Sequence, residues 1–166
     1  MMISICGPND ASATEYQAAY DIGRLLAESG HTVVCGGRGG VMEAVARGAK
    51  EAGGTTIGIL PDYDPSVANA YIDFPIPTGL GHARNAIVAS TGAAVIAVGG
   101  GFGTLSEVGL ALKMGKRVVH VGGWELDESR TASYADSSAE YLEATSAEDA
   151  VALATAAKPA SPTGHG

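Results

Sequence analysis

Two kinds of apolar patterning alternate along the chain. Short, mostly apolar runs rich in Val, Ile and Ala are each closed by Gly or Pro, and between them lie longer segments whose apolar residues recur three or four apart. The first kind predicts buried strands and the second amphipathic helices. Met2 to Cys6 is the first strand, closed by Gly7-Pro8-Asn9-Asp10. Ser12-x-x-Glu15 matches a capping box, and Ala19, Ile22, Gly23 and Leu26 share one face of the helix that follows, which Gly30 stops. His31 to Cys35 is the second strand and breaks into Gly36-Gly37-Arg38-Gly39-Gly40. Val41, Ala44, Val45 and Ala49 then keep helical spacing up to Gly53-Gly54.

Thr55 to Leu60 is a third strand, stopped by Pro61; Asp62 to Ala70 has no periodicity and reads as a loop. Tyr71 to Ile76 is a fourth strand, placed near the sheet edge because it contains Pro75. Past the turn at Thr78-Gly79-Leu80-Gly81, the pattern predicts a helix over His82 to Ser90, a central strand over Ala93 to Val98, a helix over Thr104 to Met114 and a strand over Arg117 to Val121. After Gly122-Gly123-Trp124 the periodicity fades. Glu140 to Ala144 reads as a last strand, and Ser146-x-x-Asp149 as the cap of a final helix. Residues 158–166 are polar with Pro and Gly and read as a disordered tail. Strands alternating with helices across short turns imply right-handed crossovers. The expected architecture is α/β: a Rossmann-like, doubly wound parallel sheet in three layers, one domain over residues 1–157.

Composition agrees with that picture. With 46% hydrophobic but only 5% aromatic residues, the core must be built from small aliphatic side chains, and 24 glycines supply tight turns. The net charge of -8 is uneven: residues 1–122 are near neutral, and the acidic excess lies in residues 123–166. No basic stripe exists to displace counterions, which argues against nucleic acid as a partner. Cys6 and Cys35 each end an apolar run and read as small buried residues rather than a disulfide framework. No run approaches the ~18 apolar residues of a membrane span, so neither a membrane nor a targeting signal is implied, and a cytoplasmic location is expected.

The candidate chemistry centres on Gly99-Gly100-Gly101-Phe102-Gly103-Thr104-Leu105-Ser106-Glu107. A strand that ends in glycines and opens a helix presents unpaired backbone N–H groups to an anion. In a doubly wound sheet ligands bind beyond the strand carboxyl ends, where strand order reverses. Four segments fall there: Cys6 to Asn9, Gly36 to Gly40, Thr78 to Arg84, and Gly99 to Thr104. The expected phosphate or ligand contacts are Gly7, Gly36, Gly37, Arg38, Gly39, Gly40, Arg84, Asn85, Gly100, Gly101, Gly103 and Thr104. Arg84 sits at a helix start, where a cation opposes the dipole, and a phosphate would explain it. Arg38 could reach a phosphate or be solvated. Glu107 has two readings: the partner of Thr104 in a capping box, or a carboxylate acting on a bound sugar. Trp124 could cap a base, but packing against the sheet edge is the expectation. The Gly-x-Gly-x-x-Gly dinucleotide spacing and a Gly-Lys-Ser/Thr triplet are both missing, so neither a nicotinamide dehydrogenase nor a P-loop NTPase is indicated. The four histidines lack metal-ligand spacing, and no metal is expected.

Gly36-Gly37-Arg38-Gly39-Gly40-Val41-Met42-Glu43, the pair Arg84-Asn85, the Gly99 to Glu107 stretch and Gly122-Gly123-Trp124 together resemble the lysine-decarboxylase-like superfamily over residues 2–157. Its branches include the Lonely Guy phosphoribohydrolases, which release cytokinin bases from riboside monophosphates, and the molybdenum cofactor carrier proteins. By that resemblance Arg84 and Glu107 match the hydrolase catalytic pair. The chain departs from the hydrolase motif Pro-Gly-Gly-x-Gly-Thr-x-x-Glu at Gly99, which stands in the proline's place, and at Asn85, where hydrolases carry lysine. Glu43 also replaces a glycine, and Val41 a leucine. These departures and the Gly-Gly-Trp element are closer to the cofactor-carrier branch. The resemblance implies binding of a phosphate-bearing small molecule, either the molybdenum cofactor or a nucleoside monophosphate, by a homodimer or homotetramer that requires no resident cofactor. The alternative it implies is phosphoribohydrolase activity on nucleoside 5′-monophosphates. The superfamily's name does not transfer: a pyridoxal-phosphate decarboxylase needs a Schiff-base lysine, and Lys50, Lys113, Lys116 and Lys158 lie at predicted helix ends or in the tail.

Overall fold

In the computed structural model, which describes residues 1–157, seven parallel strands form one sheet in the order β4-β3-β2-β1-β5-β6-β7. The expected tail at 158–166 lies outside the described residues. The strands are β1 (Met2–Cys6), β2 (Thr32–Cys35), β3 (Thr56–Leu60), β4 (Phe74–Pro77), β5 (Ala94–Val98), β6 (Arg117–Val121) and β7 (Glu140–Glu143). The helices are α1 (Ala13–Glu28), α2 (Val41–Glu51), α3 (Asn85–Thr91), α4 (Phe102–Lys113), α5 (Glu128–Tyr134) and α6 (Ala147–Thr155). The chain winds outward from β1 to β4, then returns to place β5 on the other side of β1. Ile3 pairs with Val33 on one flank and Ala94 on the other. That reversal is the switch point of the sheet, and the crevice above it is where ligands settle in folds of this topology.

Local chemistry accounts for most of these elements. Ser12 caps α1, its hydroxyl accepting from the Glu15 N–H while the Glu15 carboxylate accepts from the Ser12 N–H. The buried face of α1 is Ala19, Ile22, Gly23 and Leu26. β5 is buried at all five positions, as a strand covered on both faces must be. Helices α1, α2 and α6 cover one face and α3 and α4 the other, with β1 at the centre between two aliphatic cores.

Helices α1 and α2 cross where both lack a side chain. Gly23 lies against the Val45 carbonyl, and Gly48 against the Tyr20 carbonyl, so an added methyl at either would meet backbone that cannot yield. We expect Gly23→Ala to cost about 1–3 kcal/mol by overpacking and to lower Tm by several degrees. Gly109→Ala, on the open face of α4 with nothing near the added carbon, should leave Tm unchanged or raise it slightly. Equal effects of the two substitutions in a thermal melt would refute the close-crossing account.

Three boundaries and one additional helix differ most from the sequence reading. Tyr71 belongs to a turn, its N–H donating to Asn69 Oδ1, so β4 begins at Phe74; it does lie at the sheet edge. The helix expected over His82 to Ser90 divides into a 3-10 turn, Gly81–Arg84, and α3. The α4 helix starts at Phe102, two residues before Thr104. Helix α5 was not anticipated; it buries no residue and so leaves no apolar stripe to read. No helix of the described residues is long and apolar enough to cross a membrane.

Candidate functional site

A cavity of about 330 Å³ opens above the carboxyl ends of β1, β2 and β5. Its floor is Cys6 and Gly7 at the end of β1, one wall is Gly36 with Arg84 and Asn85, and the opposite wall is Gly101, Gly103, Thr104 and Glu107 from the start of α4. A second groove, of about 440 Å³ between α4 and α5, has its polar groups, Lys113, Glu125, Asp127, Arg130 and Thr131, at the surface, and none of them is buried.

The α4 terminus supplies the donors. Gly101 is its N-cap and provides no side-chain cap, so the first-turn amides of Phe102, Gly103 and Thr104 have no intrahelical acceptor. Gly101 and Gly103 have open space where a side chain would stand. Thr104 is 3% exposed, lines the cavity, and its hydroxyl has no partner. A buried hydroxyl left unbonded is costly, so this atom marks where a polar ligand atom would belong.

Because Gly101 caps α4 and Phe102 is its first residue, Thr104 occupies the third helical position and cannot be the cap. The capping-box reading of Glu107 is therefore corrected: its carboxylate lies beside Cys6, in the coulombic reach of Arg84, and is 7% exposed. Burial pushes the Glu107 carboxyl up to about 7, against the opposing pull of the Arg84 guanidinium and a hydrogen-bonding contribution from the Cys6 thiol. The Cys6 thiol is itself pushed up, by burial first and then by Glu107, and stays protonated. Both cysteines are free and buried.

Arg84 reaches across the end of β2. Its Nη1 donates to the Ile59 carbonyl at 2.8 Å, and the guanidinium occupies the space that a side chain at Gly36 would need. Desolvation lowers its pKa, with Glu107 opposing. Arg84 and Glu107 face one cavity without forming an ion pair among the described residues. A ligand oxygen between them would thus meet a cation and a carboxyl group near its ionisation point. Asn85 holds the two walls together: its Nδ2 donates to Ser106 Oγ at 2.8 Å, and that hydroxyl donates to the Gly103 carbonyl at 2.7 Å.

The second glycine turn plays a different part. Gly36 lines the cavity, but the N–H of Gly37 donates to Cys35 Sγ, that of Gly39 to Asn9 Oδ1, and that of Val41 to the Pro8 carbonyl. Gly37 at φ +73° packs against Gly58, and Gly40 at φ +60° packs against the Pro8 and Asn9 carbonyls. The bonds of the Gly37, Gly39 and Val41 amides and the packing of Gly40 tie this turn to its surroundings, and Gly36 is its residue on the cavity wall. Arg38 forms a half-exposed ion pair with Asp62 at 2.7 Å and faces an adjoining lobe that also includes Arg84. Gly100 lies under the Trp124 indole. The Trp124 indole meets the start of α4: its Nε1 donates to the Gly101 carbonyl at 3.3 Å and its ring sits 5.6 Å from Phe102. Asn9, Met42 and His82 line the cavity without having been singled out. The Asn9 side chain reaches the site through a bond to Gly39, a long-range contact with no local spacing to reveal it.

The parallel sheet with a glycine turn and helix N-terminus at its switch point defines a Rossmann-like protein. The chain belongs to the SLOG cluster4 family, whose sequence model matches residues 1–151. It is similar to the solved molybdenum cofactor binding protein of the phototrophic bacterium Rippkaea orientalis, with 40% identity and a TM-score of 0.83 over 92% of this chain and 93% of that one. The molybdenum cofactor carrier protein of Chlamydomonas reinhardtii is also 40% identical, with a TM-score of 0.80 over 91% and 94% of the two chains. A cytokinin riboside 5′-monophosphate phosphoribohydrolase of Rhodococcoides fascians is 34% identical over 108 residues, which are 61% of this chain and 54% of the hydrolase. The match thus spans about half of that enzyme's length.

Proposed function

We propose that the protein binds a phosphate-bearing small molecule of nucleotide or pterin type in the β1/β5 cavity. The observation that carries this reading is the buried, unbonded Thr104 hydroxyl beside the free first-turn amides of α4. The phosphate would accept from those amides and from Thr104, with the Arg84 guanidinium on the facing wall. A volume of about 330 Å³ is at the small end of ligand pockets, suiting one phosphate with a sugar or single ring system. The molybdenum cofactor, a phosphorylated pterin, fits this donor set as cargo.

Gly99 supports carriage over cleavage. Its φ is +65° and its N–H donates to the Val121 carbonyl. Proline, which the hydrolase motif has at this position, can supply neither. The turn leading to the anion site therefore takes a path that the hydrolase motif cannot follow.

The Arg84 and Glu107 arrangement sustains a second reading, cleavage of the N-glycosidic bond of a nucleoside 5′-monophosphate. A carboxyl group poised near 7 is suited to acid–base work at neutral pH. One experiment separates the two: calorimetric titration with AMP, followed by recovery of the nucleotide. Saturable binding with AMP recovered intact is expected. Release of adenine, lost in Glu107→Gln, would move the assignment to the hydrolase; absence of binding by AMP and every phosphorylated pterin tried would remove the cavity's proposed role.

Thr104→Val tests the carrying observation directly. It removes an unpaired buried hydroxyl at nearly constant shape, so it should raise Tm of the free protein by a few degrees, from about 1 kcal/mol of relieved desolvation. The same change should weaken AMP binding about tenfold by deleting one phosphate hydrogen bond. A loss of both stability and affinity would show that the hydroxyl already has a partner.

A further inference from the structure

Phe102 is the first residue of α4 and is 82% exposed, although a large apolar side chain at a helix start gains nothing from water. Its ring does have a neighbour. Phe102 and Trp124 lie 5.6 Å apart at an interplanar angle of 38°. Trp124 is held at side chain and backbone: Nε1 donates to the Gly101 carbonyl and the Trp124 carbonyl accepts from the Tyr141 hydroxyl at 2.6 Å, while Gly100 leaves room for the ring. Tyr141 in turn stacks on the buried His120 at 4.6 Å and 15°. A rigid aromatic support thus rises from the sheet to the start of α4 and ends in an exposed ring at Phe102, between the cavity-lining Gly101 and Gly103.

The position of that ring relative to the anion donors is set by covalent geometry. Phe102 contributes one of the unpaired first-turn amides, so a phosphate held there is adjacent to the residue whose side chain extends outward. A planar ring joined to the phosphate through a sugar or short linker would reach the rim where Phe102 and Trp124 meet. We infer that the Phe102–Trp124 pair is the seat for the heteroaromatic ring of the ligand, and that it selects phosphates carrying a purine or pterin over phosphates without a ring. This rests on the anion-binding reading given above. Neutral aromatic faces select for planarity and not for a hydrogen-bond pattern, so purines and pterins should both be accepted.

Trp124 is the only tryptophan in the chain, so its fluorescence reports on this rim alone. The test compares AMP and 6-hydroxymethylpterin phosphate with ribose 5-phosphate, using calorimetry for affinity and, for AMP and ribose 5-phosphate, Trp124 emission for location. AMP should quench Trp124 saturably, whereas ribose 5-phosphate should bind more weakly, compete with AMP, and leave the emission nearly unchanged. Phe102→Ala should weaken AMP and pterin binding about tenfold and change ribose 5-phosphate affinity by less than twofold; Phe102→Tyr should restore the ring ligands. If ring-bearing and ringless phosphates bind equally well and Phe102→Ala affects neither, the ring seat is wrong while the anion site stands. If none of the three probes binds, the anion reading itself fails and the ring seat with it.

Discussion

Arg84→Ala should weaken binding of AMP about a hundredfold. The guanidinium is held over Gly36 by its bond to the Ile59 carbonyl, so it is already oriented before a ligand arrives and little ordering cost is left for binding. Hydrogen bonds to a charged group contribute about 1.5–3 kcal/mol, and two parallel bonds to one phosphate account for a loss of this size. Lysine at this position should recover only part of the affinity, because its single ammonium cannot reproduce the planar fork. Calorimetry on the three proteins decides the matter. An alanine variant that binds as tightly as the parent would show that the helix terminus acts alone.

The second large effect concerns Glu107 and runs with pH. Its carboxyl titrates near 7 in the folded protein because burial disfavours the charge, and near 4.5 in the unfolded chain. Between these values the folded protein retains a proton that the unfolded chain has lost, so stability falls as pH rises from about 4.5 to 7 and is level above that. The difference amounts to roughly 3 kcal/mol. Glu107→Gln keeps the shape and removes the ionisation. Its stability relative to the parent should therefore increase by that amount between pH 4.5 and pH 8, read from urea midpoints at the two values. An identical difference at both pH values would mean that Glu107 ionises normally. Ligand binding should share this dependence: an anion beside Glu107 favours its protonated form, so AMP affinity in the parent should fall with rising pH above 7 more steeply than in Glu107→Gln.

What could be read from the sequence depended on how local each cause was. The buried face of α1, its cap at Ser12, the burial of β5 and the Ser146 cap of α6 are products of spacing within one segment, and spacing is visible in a linear chain. The start of α4 was displaced because its cap is Gly101, which has no side chain to announce itself; Thr104 resembled a cap and drew Glu107 into the wrong partnership. Arg84 was identifiable as a cation out of place at a helix start. Its bond to Ile59, and the bond of Asn9 to Gly39, join segments that meet only after the sheet has formed. The amides of the second glycine turn were read as ligand donors for the same reason: the Pro8 and Asn9 acceptors that occupy their neighbourhood come from a distant loop.

The pairing of β1 with β5 joins Ile3 to Ala94, and this has a bearing on how the protein reaches its working state. The first strand can pair with β2 as soon as both have been synthesised, but its other edge must wait until most of the chain exists. Closing so long a loop is slow and entropically unfavourable before its contacts form. The cavity's two walls lie on opposite sides of that late seam, Gly36 and Arg84 on one and the start of α4 on the other. A partly folded chain therefore presents half a binding site, and a ligand that needs both walls recognises only finished molecules. By mass action such a ligand would hold them in that state, so that its binding would act as a check on completed folding.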